Sequence, residues 1–166
     1  MTTTVAVISD THGYIDPRIV EVVRECDLAV HAGDICGAEI LASMKPKTGK
    51  VYVVTGNNDP YCHVTGAELP EVLSFEMPGG TITIEHGHKH GAHKPDHDSL
   101  RKAYPDSKLI IYGHTHKKLI DQTTTPWIIN PGAAGITRNH GGPSCLVIEC
   151  SDKKEWQIHK HRFSEE

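Results

Sequence analysis

The sequence predicts an α/β fold in which a largely parallel sheet carries polar side chains at the carboxyl ends of its strands. Three short apolar runs, at residues 5–8, 28–30 and 51–54, have the character of strands that are buried on both faces. Segments with helical spacing separate them, and this β-α-β-α-β order is typical of parallel strands. Each run ends in a loop that contains glycine together with aspartate or asparagine.

Length and composition limit the class of protein. The 166 residues are enough for one domain with a sizeable core. The chain has 17 lysines and arginines against 21 aspartates and glutamates, and its basic residues form no stripe. Duplex nucleic acid is therefore not an expected partner. No signal peptide or membrane-spanning run is visible, and five scattered cysteines indicate reduced thiols. We therefore expect a cytoplasmic protein without a membrane partner.

The first strand leads into a loop and then a helix. Asp10 and His12 lie two residues apart after the strand, so both side chains can enter one site. Asp16 and Pro17 predict a helix start, with aspartate as the N-cap and proline as the first helical residue. Helical spacing of apolar residues continues almost to Cys26, where we expect the helix to end.

The second and third strands end in the same way as the first. Asp34 follows the run at 28–30, and Asn57 follows the run at 51–54, which we expect to be a buried strand. A short helix is predicted over 38–44. Because the carboxyl ends of parallel strands meet at one edge of a sheet, these side chains should lie close together.

The middle of the chain predicts a hairpin. Strand-like runs at 72–77 and 81–85 are joined by a Pro-Gly-Gly turn, and the second run ends in His86 and His88. A helix is expected over 98–104, before a proline that cannot continue it.

The last part of the chain predicts strands only. The apolar run at 109–112 ends in Gly113, which we expect to permit a sharp turn, and then in His114 and His116. Four more strands are predicted, at residues 118–122, 127–130, 144–149 and 155–161.

Five predicted strand ends together supply oxygen and nitrogen ligands for metal ions. These residues are Asp10, His12, Asp34, Asn57, His86, His114 and His116. Carboxylate, amide and imidazole donors without cysteine suit manganese, iron, zinc, nickel or cobalt. Seven side chains are too many for one tetrahedral site, but they suffice for two adjacent ions that share one carboxylate.

In this order the motifs resemble those of the calcineurin-like metallophosphoesterase superfamily. The motifs are Asp-x-His, Gly-Asp, Gly-Asn-x-Asp, His-Gly-His and Gly-His-x-His. The short chain, with Asp-Thr-His-Gly, His-Ala-Gly-Asp and Asn-Pro-Gly-Ala, is most similar to the small YfcE-like branch of phosphodiesterases. The resemblance implies a four-layer α/β/β/α sandwich of two mixed sheets, with the metal site at the strand carboxyl ends. Residues 1–166 would form a single metallophosphoesterase domain.

The resemblance also implies how the ligands are divided between two divalent ions. The first ion would be held by Asp10, His12, Asp34 and His116. The second ion would be held by Asp34, Asn57, His86 and His114, so that Asp34 bridges the pair. Manganese is the expected metal, and nickel, iron, zinc, cobalt and magnesium are the alternatives.

The implied function is hydrolysis of a phosphodiester. A hydroxide between the two ions would attack phosphorus in line, with a small-molecule phosphoester or a nucleotide as substrate. A homo-oligomer is the expected assembly. The alternative functions are a phosphomonoesterase, a non-catalytic protein-binding scaffold like the vacuolar-sorting retromer subunit of this fold, and a regulator that holds nucleotide without hydrolysing it.

One position departs from the family pattern. Many members have a histidine where this chain has Asn58, and that histidine is credited with contacting phosphate and protonating the leaving group. An amide can donate a hydrogen bond to phosphate but is not a general acid. We therefore predict that Asn58 and His88 contact the substrate, with His88, or a loop histidine such as His90, as the acid. The alternative for His88 is a place behind the ligands or on the surface.

Other residues near the motifs receive weaker predictions. Arg138 could reach a phosphate or form a surface ion pair, and His31 is expected to pack beside the ligands. His90, His93 and His97 are expected to be solvated, with the substrate mouth as the alternative. The loops 60–70 and 87–97 would select the substrate.

Overall fold

Two five-stranded mixed sheets are present in the computed structural model, which describes residues 2–59 and 69–164. Within these residues the strands are β1 (Thr2–Ile8), β2 (Leu28–His31), β3 (Val51–Val53), β4 (Val72–Met77), β5 (Gly80–Glu85), β6 (Leu109–Ile111), β7 (Leu119–Asp121), β8 (Trp127–Asn130), β9 (Ser144–Ser151) and β10 (Gln157–Arg162). The helices are α1 (Pro17–Glu25), α2 (Ala38–Ser43) and α3 (His97–Ala103), and His88–His90 form a 3-10 turn.

Parallel strands lie at the centre of each sheet. The first sheet has the order β10-β9-β1-β2-β3, in which β1, β2 and β3 are parallel and β9 and β10 are antiparallel to their neighbours. The second has the order β4-β5-β6-β8-β7, in which β5, β6 and β8 are parallel. Five of the parallel strands, β1, β2, β3, β5 and β6, end in the loops that carry the predicted ligands.

Three apolar cores separate four layers. Val5 and Val7 of β1 pack between the two sheets, in the same cluster as Leu109 of β6. Alternate residues of β1 point the other way and join α1 and α2 in a second cluster, to which Ile8 belongs. A third cluster joins the second sheet to α3, with Leu100 from the helix. The predicted α/β/β/α sandwich of two mixed sheets is therefore confirmed.

Most predicted elements occur within one or two residues of their predicted bounds, and the larger differences have physical causes. β1 begins at Thr2 because its three threonines pair with the end of β9, from Glu149 to Ser151, a contact that hydrophobic periodicity does not reveal. The prediction that the third strand is buried was wrong. β3 is an edge strand and is only half buried.

The start of α1 follows its sequence. The Asp16 side chain accepts a hydrogen bond from the Arg18 backbone N–H at 2.8 Å, and Pro17 occupies the first turn. The Arg18 guanidinium also donates to both carboxylate oxygens, at 2.9 Å each. These hydrogen bonds lower the pKa of Asp16. α3 begins one residue earlier than predicted because Asp96 is its N-cap. Among the described residues, no helix has both the length and the apolar character needed to cross a membrane.

We expect replacement of Asp16 with alanine to lower the free energy of unfolding by about 1–2 kcal/mol, because the cap acceptor and the Arg18 partner are lost. Since its pKa is lowered on folding, this stabilisation is present above the ordinary aspartate pKa and is lost as pH falls through the folded-state value. Urea unfolding measures it. Asp16→Asn keeps the cap oxygen and should lose less; an equal loss would assign the effect to the ion pair instead.

Candidate metal centre

The predicted ligands converge where the two sheets end side by side. Asp10, His12 and His116 form one group whose potential ligand atoms all lie within 4.8 Å of one another. Asp10 Oδ1 is 3.5 Å from His116 Nε2 and 3.9 Å from His12 Nε2, and the two imidazole nitrogens are 3.1 Å apart. A carboxylate oxygen and two ring nitrogens at this spacing can hold one ion.

A second group lies against the first. It contains Asp10, Asp34 and His86, whose Nε2 atom is 3.3 Å from Asp34 Oδ2 and 3.8 Å from Asp10 Oδ1. Asp34 Oδ2 is also 3.5 Å from His12 Nε2. Asp10 is thus common to both groups, and Asp34 faces one histidine from each predicted ligand set.

Asn57 and His114 form a pair at the outer side of the second group. His114 Nδ1 is 3.2 Å from Asn57 Oδ1, and the rings of His86 and His114 have centroids 5.3 Å apart. The His114 backbone N–H donates to Asp10 Oδ2 at 3.0 Å, which fixes this loop against the end of β1. All seven predicted ligands are therefore brought into one neighbourhood.

Backbone carbonyls set the tautomers of three of these histidines. Nδ1 of His86 donates to the Ala32 carbonyl at 2.8 Å, and Nδ1 of His116 donates to the Thr137 carbonyl at 2.7 Å. Nε2 of His114 donates to the Ala92 carbonyl at 2.6 Å. Because a carbonyl only accepts, each of these ring nitrogens carries the proton, and the other nitrogen of the neutral ring keeps its lone pair. His86 and His116 thereby direct Nε2 at the carboxylates, as histidine ligands of metals do.

Two buried atoms of this cluster have no hydrogen-bond partner among the described residues, Asp10 Oδ1 and His86 Nε2. The Asp10 carboxylate uses its other oxygen to accept from Ser9 Oγ at 2.7 Å. A buried polar atom without a partner costs about 1–3 kcal/mol, so its presence in a native site requires an explanation. Divalent ions would satisfy both atoms, and the donor set therefore fits them.

Burial and mutual charge shift the protonation of the cluster. Burial raises the pKa of Asp10 to about 7. Burial would also raise the pKa of Asp34, but the charge of His86, whose Nε2 is 3.3 Å away, and hydrogen bonds from Asn58 hold it well below its usual range. Burial opposes charge on His86 as well, yet the two carboxylates raise its pKa to about 9. Because an ion and a proton compete for the same lone pair, metal binding there is coupled to proton release.

The other ligand histidines are held neutral. Burial lowers the pKa of His12, His114 and His116, the last to about 4, and the positive charge of Arg138 adds to the effect on all three. Neutral imidazole is the form that binds a metal.

The backbone at the site is unusual. Asp10, His12, Asp34, His114 and His116 all have left-handed φ angles, between 47° and 67°. Such values are uncommon outside glycine, and they cluster at functional sites where the surrounding structure enforces them. The loops are therefore shaped to direct these side chains inward.

Glycine is required at two positions because neighbouring side chains approach the backbone too closely there to leave room for a Cβ atom. Gly113 follows the end of β6, as predicted, but its φ angle is not in the left-handed region, so the backbone conformation is not what requires glycine there. A Cβ at Gly113 would instead lie 2.0 Å from Ser9 Oγ and 2.6 Å from Asp10 Oδ2. A Cβ at Gly56 would lie 2.2 Å from Asp34 Oδ1. Glycine at both positions lets the loops close around the two carboxylates.

Asp59 has a role that sequence reasoning missed. Its buried carboxylate accepts four backbone hydrogen bonds, from Asp34 (2.9 Å), Gly56 (2.7 Å), Ile35 (2.8 Å) and Cys36 (3.1 Å). It thereby joins the loops that carry Asp34 and Asn57. Its place in the Gly-Asn-x-Asp motif was the available sequence feature, but the motif does not reveal the partners.

His31 lies behind the ligands, as predicted. The fully buried ring accepts from the Gly33 backbone N–H at 3.1 Å and donates to Thr11 Oγ1 at 3.0 Å. It links the loops after β1 and β2. Burial lowers the pKa of His31 to about 3, so the ring is neutral.

The predicted substrate contacts lie beside the ligands. The Asn58 backbone and side-chain amides both donate to Asp34, at 2.8 Å, so Asn58 orients that carboxylate. His88 is half buried, with its ring 5.5 Å from that of His86, and burial lowers its pKa. Arg138 Nη2 is 3.4 Å from His116 Nε2, and among the described residues it has no carboxylate partner.

Two loop histidines are not solvated as predicted. His90 contacts Glu85 Oε2 at 3.2 Å and Ser99 Oγ at 2.7 Å. His97 Nδ1 lies 2.7 Å from Asp121 Oδ2. The partner residues lie on β5, α3 and β7, and the positions of α3 and β7 beside this loop are set by tertiary packing.

A cavity of about 370 Å³ opens beside the cluster. Its lining includes Asp34, Asn57, Asn58, Ala92, His93, His114, Thr115, Lys117, Arg138 and His140. The loop 87–97, predicted to select the substrate, supplies Ala92 and His93. Of the loop 60–70, residues 60–68 lie outside the described residues. The volume is within the range of about 300–1,000 Å³ that is usual for small-molecule sites.

Comparison with known proteins agrees with this geometry. The model of the calcineurin-like phosphoesterase superfamily domain matches residues 3–153. A probable metallophosphoesterase of Mycoplasma pneumoniae is 31% identical over 159 residues, which cover 90% of this chain and 88% of that protein. A phosphodiesterase of Methanocaldococcus jannaschii is 24% identical over 171 residues, covering 92% of this chain and 96% of that protein.

Solved structures share the fold. A single-residue variant of Vps29 from Entamoeba histolytica superposes with a TM-score of 0.75 at 20% identity, covering 97% of this chain and 99% of that chain. YfcE, a phosphoesterase from E. coli, superposes with a TM-score of 0.62 at 17% identity, covering 96% and 98%. At these identities the likeness concerns the fold.

Proposed function

Since this chain belongs to the calcineurin-like phosphoesterase superfamily, we propose that it hydrolyses phosphodiesters with two divalent metal ions bound at its strand ends. The resemblance to this superfamily is confirmed. The shared fold of YfcE supports our assignment to the small YfcE-like branch. The observation that carries the proposal is the convergence of buried, unpartnered ligand atoms, Asp10 Oδ1 and His86 Nε2, beside a cavity.

We assign the ligands to the ions as the resemblance implies. Asp10, His12, Asp34 and His116 would hold the first ion, and Asp34, Asn57, His86 and His114 the second. The position of Asp34 Oδ2, 3.5 Å from His12 and 3.3 Å from His86, supports its shared role. Manganese is the proposed metal, and this donor set also accepts nickel, iron, zinc, cobalt or magnesium.

The chain's own residues prepare the site. Divalent ions bound here would supply Lewis acidity and lower the pKa of a water molecule. Asp34 stays ionised because its pKa is lowered, and Asn58 holds it in place. We propose that Asn58 also contacts the substrate phosphate. His88 stays the predicted acid, but its lowered pKa favours esters such as aryl esters, whose leaving groups depart without a proton.

The direct test is turnover of bis(4-nitrophenyl) phosphate by the manganese-loaded protein, compared with 4-nitrophenyl phosphate. We expect faster turnover of the diester, its loss after chelation and its recovery when manganese is restored. Faster turnover of the monoester would instead identify a phosphomonoesterase.

A protein-binding scaffold is the second candidate, because Vps29 shares the fold. The seven ligand positions support catalysis, since none of them carries a side chain unable to bind a metal. Absence of turnover of both esters with each of manganese, nickel, zinc, cobalt, iron and magnesium would favour the scaffold.

The remaining parts of the proposal concern the setting of the enzyme. We propose that residues 1–166 form one domain, that the protein acts on a small phosphoester or nucleotide, and that it forms a homo-oligomer. Cys26, Cys145 and Cys150 are buried thiols whose burial raises their pKa to about 11, 12 and 12. Buried thiols of this kind are consistent with our proposal that the protein works in a reducing compartment such as the cytoplasm.

A further inference from the structure

The cavity beside the metal centre has one wall rich in donors and cations. We define this wall by three of the lining residues, Lys117, Arg138 and His140, and His93 also lines the cavity. Among the lining residues that the structure describes, Asp34 is the sole carboxylate. Asp34 is already assigned to the metal ions. A substrate group that contacts this wall therefore meets positive charge and N–H donors, and among the described lining residues no carboxylate other than Asp34.

The two cations of the wall, Lys117 and Arg138, have no carboxylate partner within the described part of the chain. Arg18, Lys89 and Arg101 form ion pairs elsewhere in the described part of the chain, with nitrogen–oxygen distances of 2.6–3.2 Å. No described carboxylate lies within 4.0 Å of Lys117 or Arg138, and the Arg138 guanidinium contacts His116 Nε2 at 3.4 Å. Their charge is available to a ligand.

The loop that carries Arg138 and His140 is firmly held. Both residues have left-handed φ angles, 48° and 52°. Between them lies Asn139, a buried residue whose side chain donates to Gly135 O at 3.1 Å and accepts from Gly142 N at 3.0 Å. The wall is therefore preorganised.

The loop that carries Lys117 is also fixed. Its backbone N–H donates to Thr115 Oγ1 at 3.2 Å, and the same oxygen accepts from the buried Asn130 side chain at 3.0 Å. Asn130 donates in addition to Gly113 O at 2.8 Å. Lys117 thus projects from a loop whose backbone is tied to the end of β8.

We propose that the wall formed by Lys117, Arg138 and His140 binds a second anionic group of the substrate, so that the substrate class is a phosphoester that carries two anionic groups. The inference rests on the proposed function, because it places the reacting phosphate at the metal ions. Arg138, beside His116, would lie between the two anionic groups, and Lys117 would contact the outer one.

The test is calorimetric binding to the manganese-loaded protein, with adenosine 5′-monophosphate and adenosine 3′,5′-bisphosphate as probes. Because exposure to solvent weakens charged hydrogen bonds, we expect the second anionic group to make the bisphosphate bind about tenfold more tightly than the monophosphate. Lys117→Gln should weaken the bisphosphate about threefold more than the monophosphate. Added salt should reduce the difference. Lys102→Gln, an exposed change on α3, is the matched control.

Equal affinity of the two probes for the unmodified protein would overturn the proposal, as would a Lys117→Gln variant that weakens both probes equally. Arg138→Gln provides a second variant if Lys117→Gln does not fold. If instead the proposed phosphodiesterase function is wrong, diester turnover will be absent while the bisphosphate still binds more tightly than the monophosphate.

Discussion

Replacing Asp34 with asparagine is expected to abolish metal loading and phosphodiester turnover together. Asp34 faces His12 and His86 from one carboxylate, and an amide offers one neutral oxygen where the ions would share a charged ligand. Loss of several kcal/mol of metal-based stabilisation of the transition state corresponds to a fall in turnover of about 10³-fold or more.

Asparagine is a suitable replacement because it tolerates the backbone at this position. Asp34 has a φ angle of 55°, and asparagine is among the few residues that adopt such values readily. Metal content by elemental analysis, the manganese-induced rise in melting temperature and the rate with bis(4-nitrophenyl) phosphate give three readouts. Asp106→Asn, on the exposed turn before β6, is the control. Full activity with two bound ions in Asp34→Asn would contradict the proposed centre.

Replacing Asp59 with alanine is expected to destabilise the fold and to impair the metal centre, although Asp59 is not a ligand. Four backbone N–H groups would lose their acceptor in a buried place. Each buried donor left without a partner costs about 1–3 kcal/mol, and partial relaxation should reduce the total to about 3–5 kcal/mol. The loops that carry Asp34 and Asn57 would also separate.

Urea unfolding and manganese titration measure the two effects of Asp59→Ala. Asp59→Asn should lose less stability and less manganese affinity than Asp59→Ala. Its amide keeps one oxygen acceptor, but it turns an N–H donor toward the backbone donors. Asp106→Asn should leave both quantities unchanged. If Asp59→Ala kept normal stability and normal manganese affinity, the four hydrogen bonds would not be the support of this site.

The positions of the proposed ligands were accessible from the sequence because the signals are local. A β-branched run followed by glycine and a carboxylate predicts where β2 ends and that Asp34 lies at its end. The same reasoning placed Asp10 after β1, and it identified Asp16 as the cap of α1. Each inference uses residues that are neighbours along the chain.

The support of the site was not accessible, because its contacts join distant segments. The carbonyl that fixes the His86 tautomer belongs to Ala32, 54 residues away, and the N–H groups held by Asp59 come from loops up to 25 residues away. Position 113 requires glycine because a Cβ there would clash with Ser9, which lies at the end of a different strand, β1. Sequence spacing does not report these distances.

The sequence by itself determined the order of the strands along the chain and the presence of aspartate, asparagine and histidine, the proposed ligands, at the strand ends. Only the tertiary structure decided which lone pairs point inward, which oxygens are left without a partner, and that Lys117 and Arg138 share a wall of the cavity. The reason is physical. Backbone preferences and hydrophobic periodicity act over a few residues, whereas tautomers, orphaned atoms and cavity walls depend on which loops the packing of the two sheets brings together.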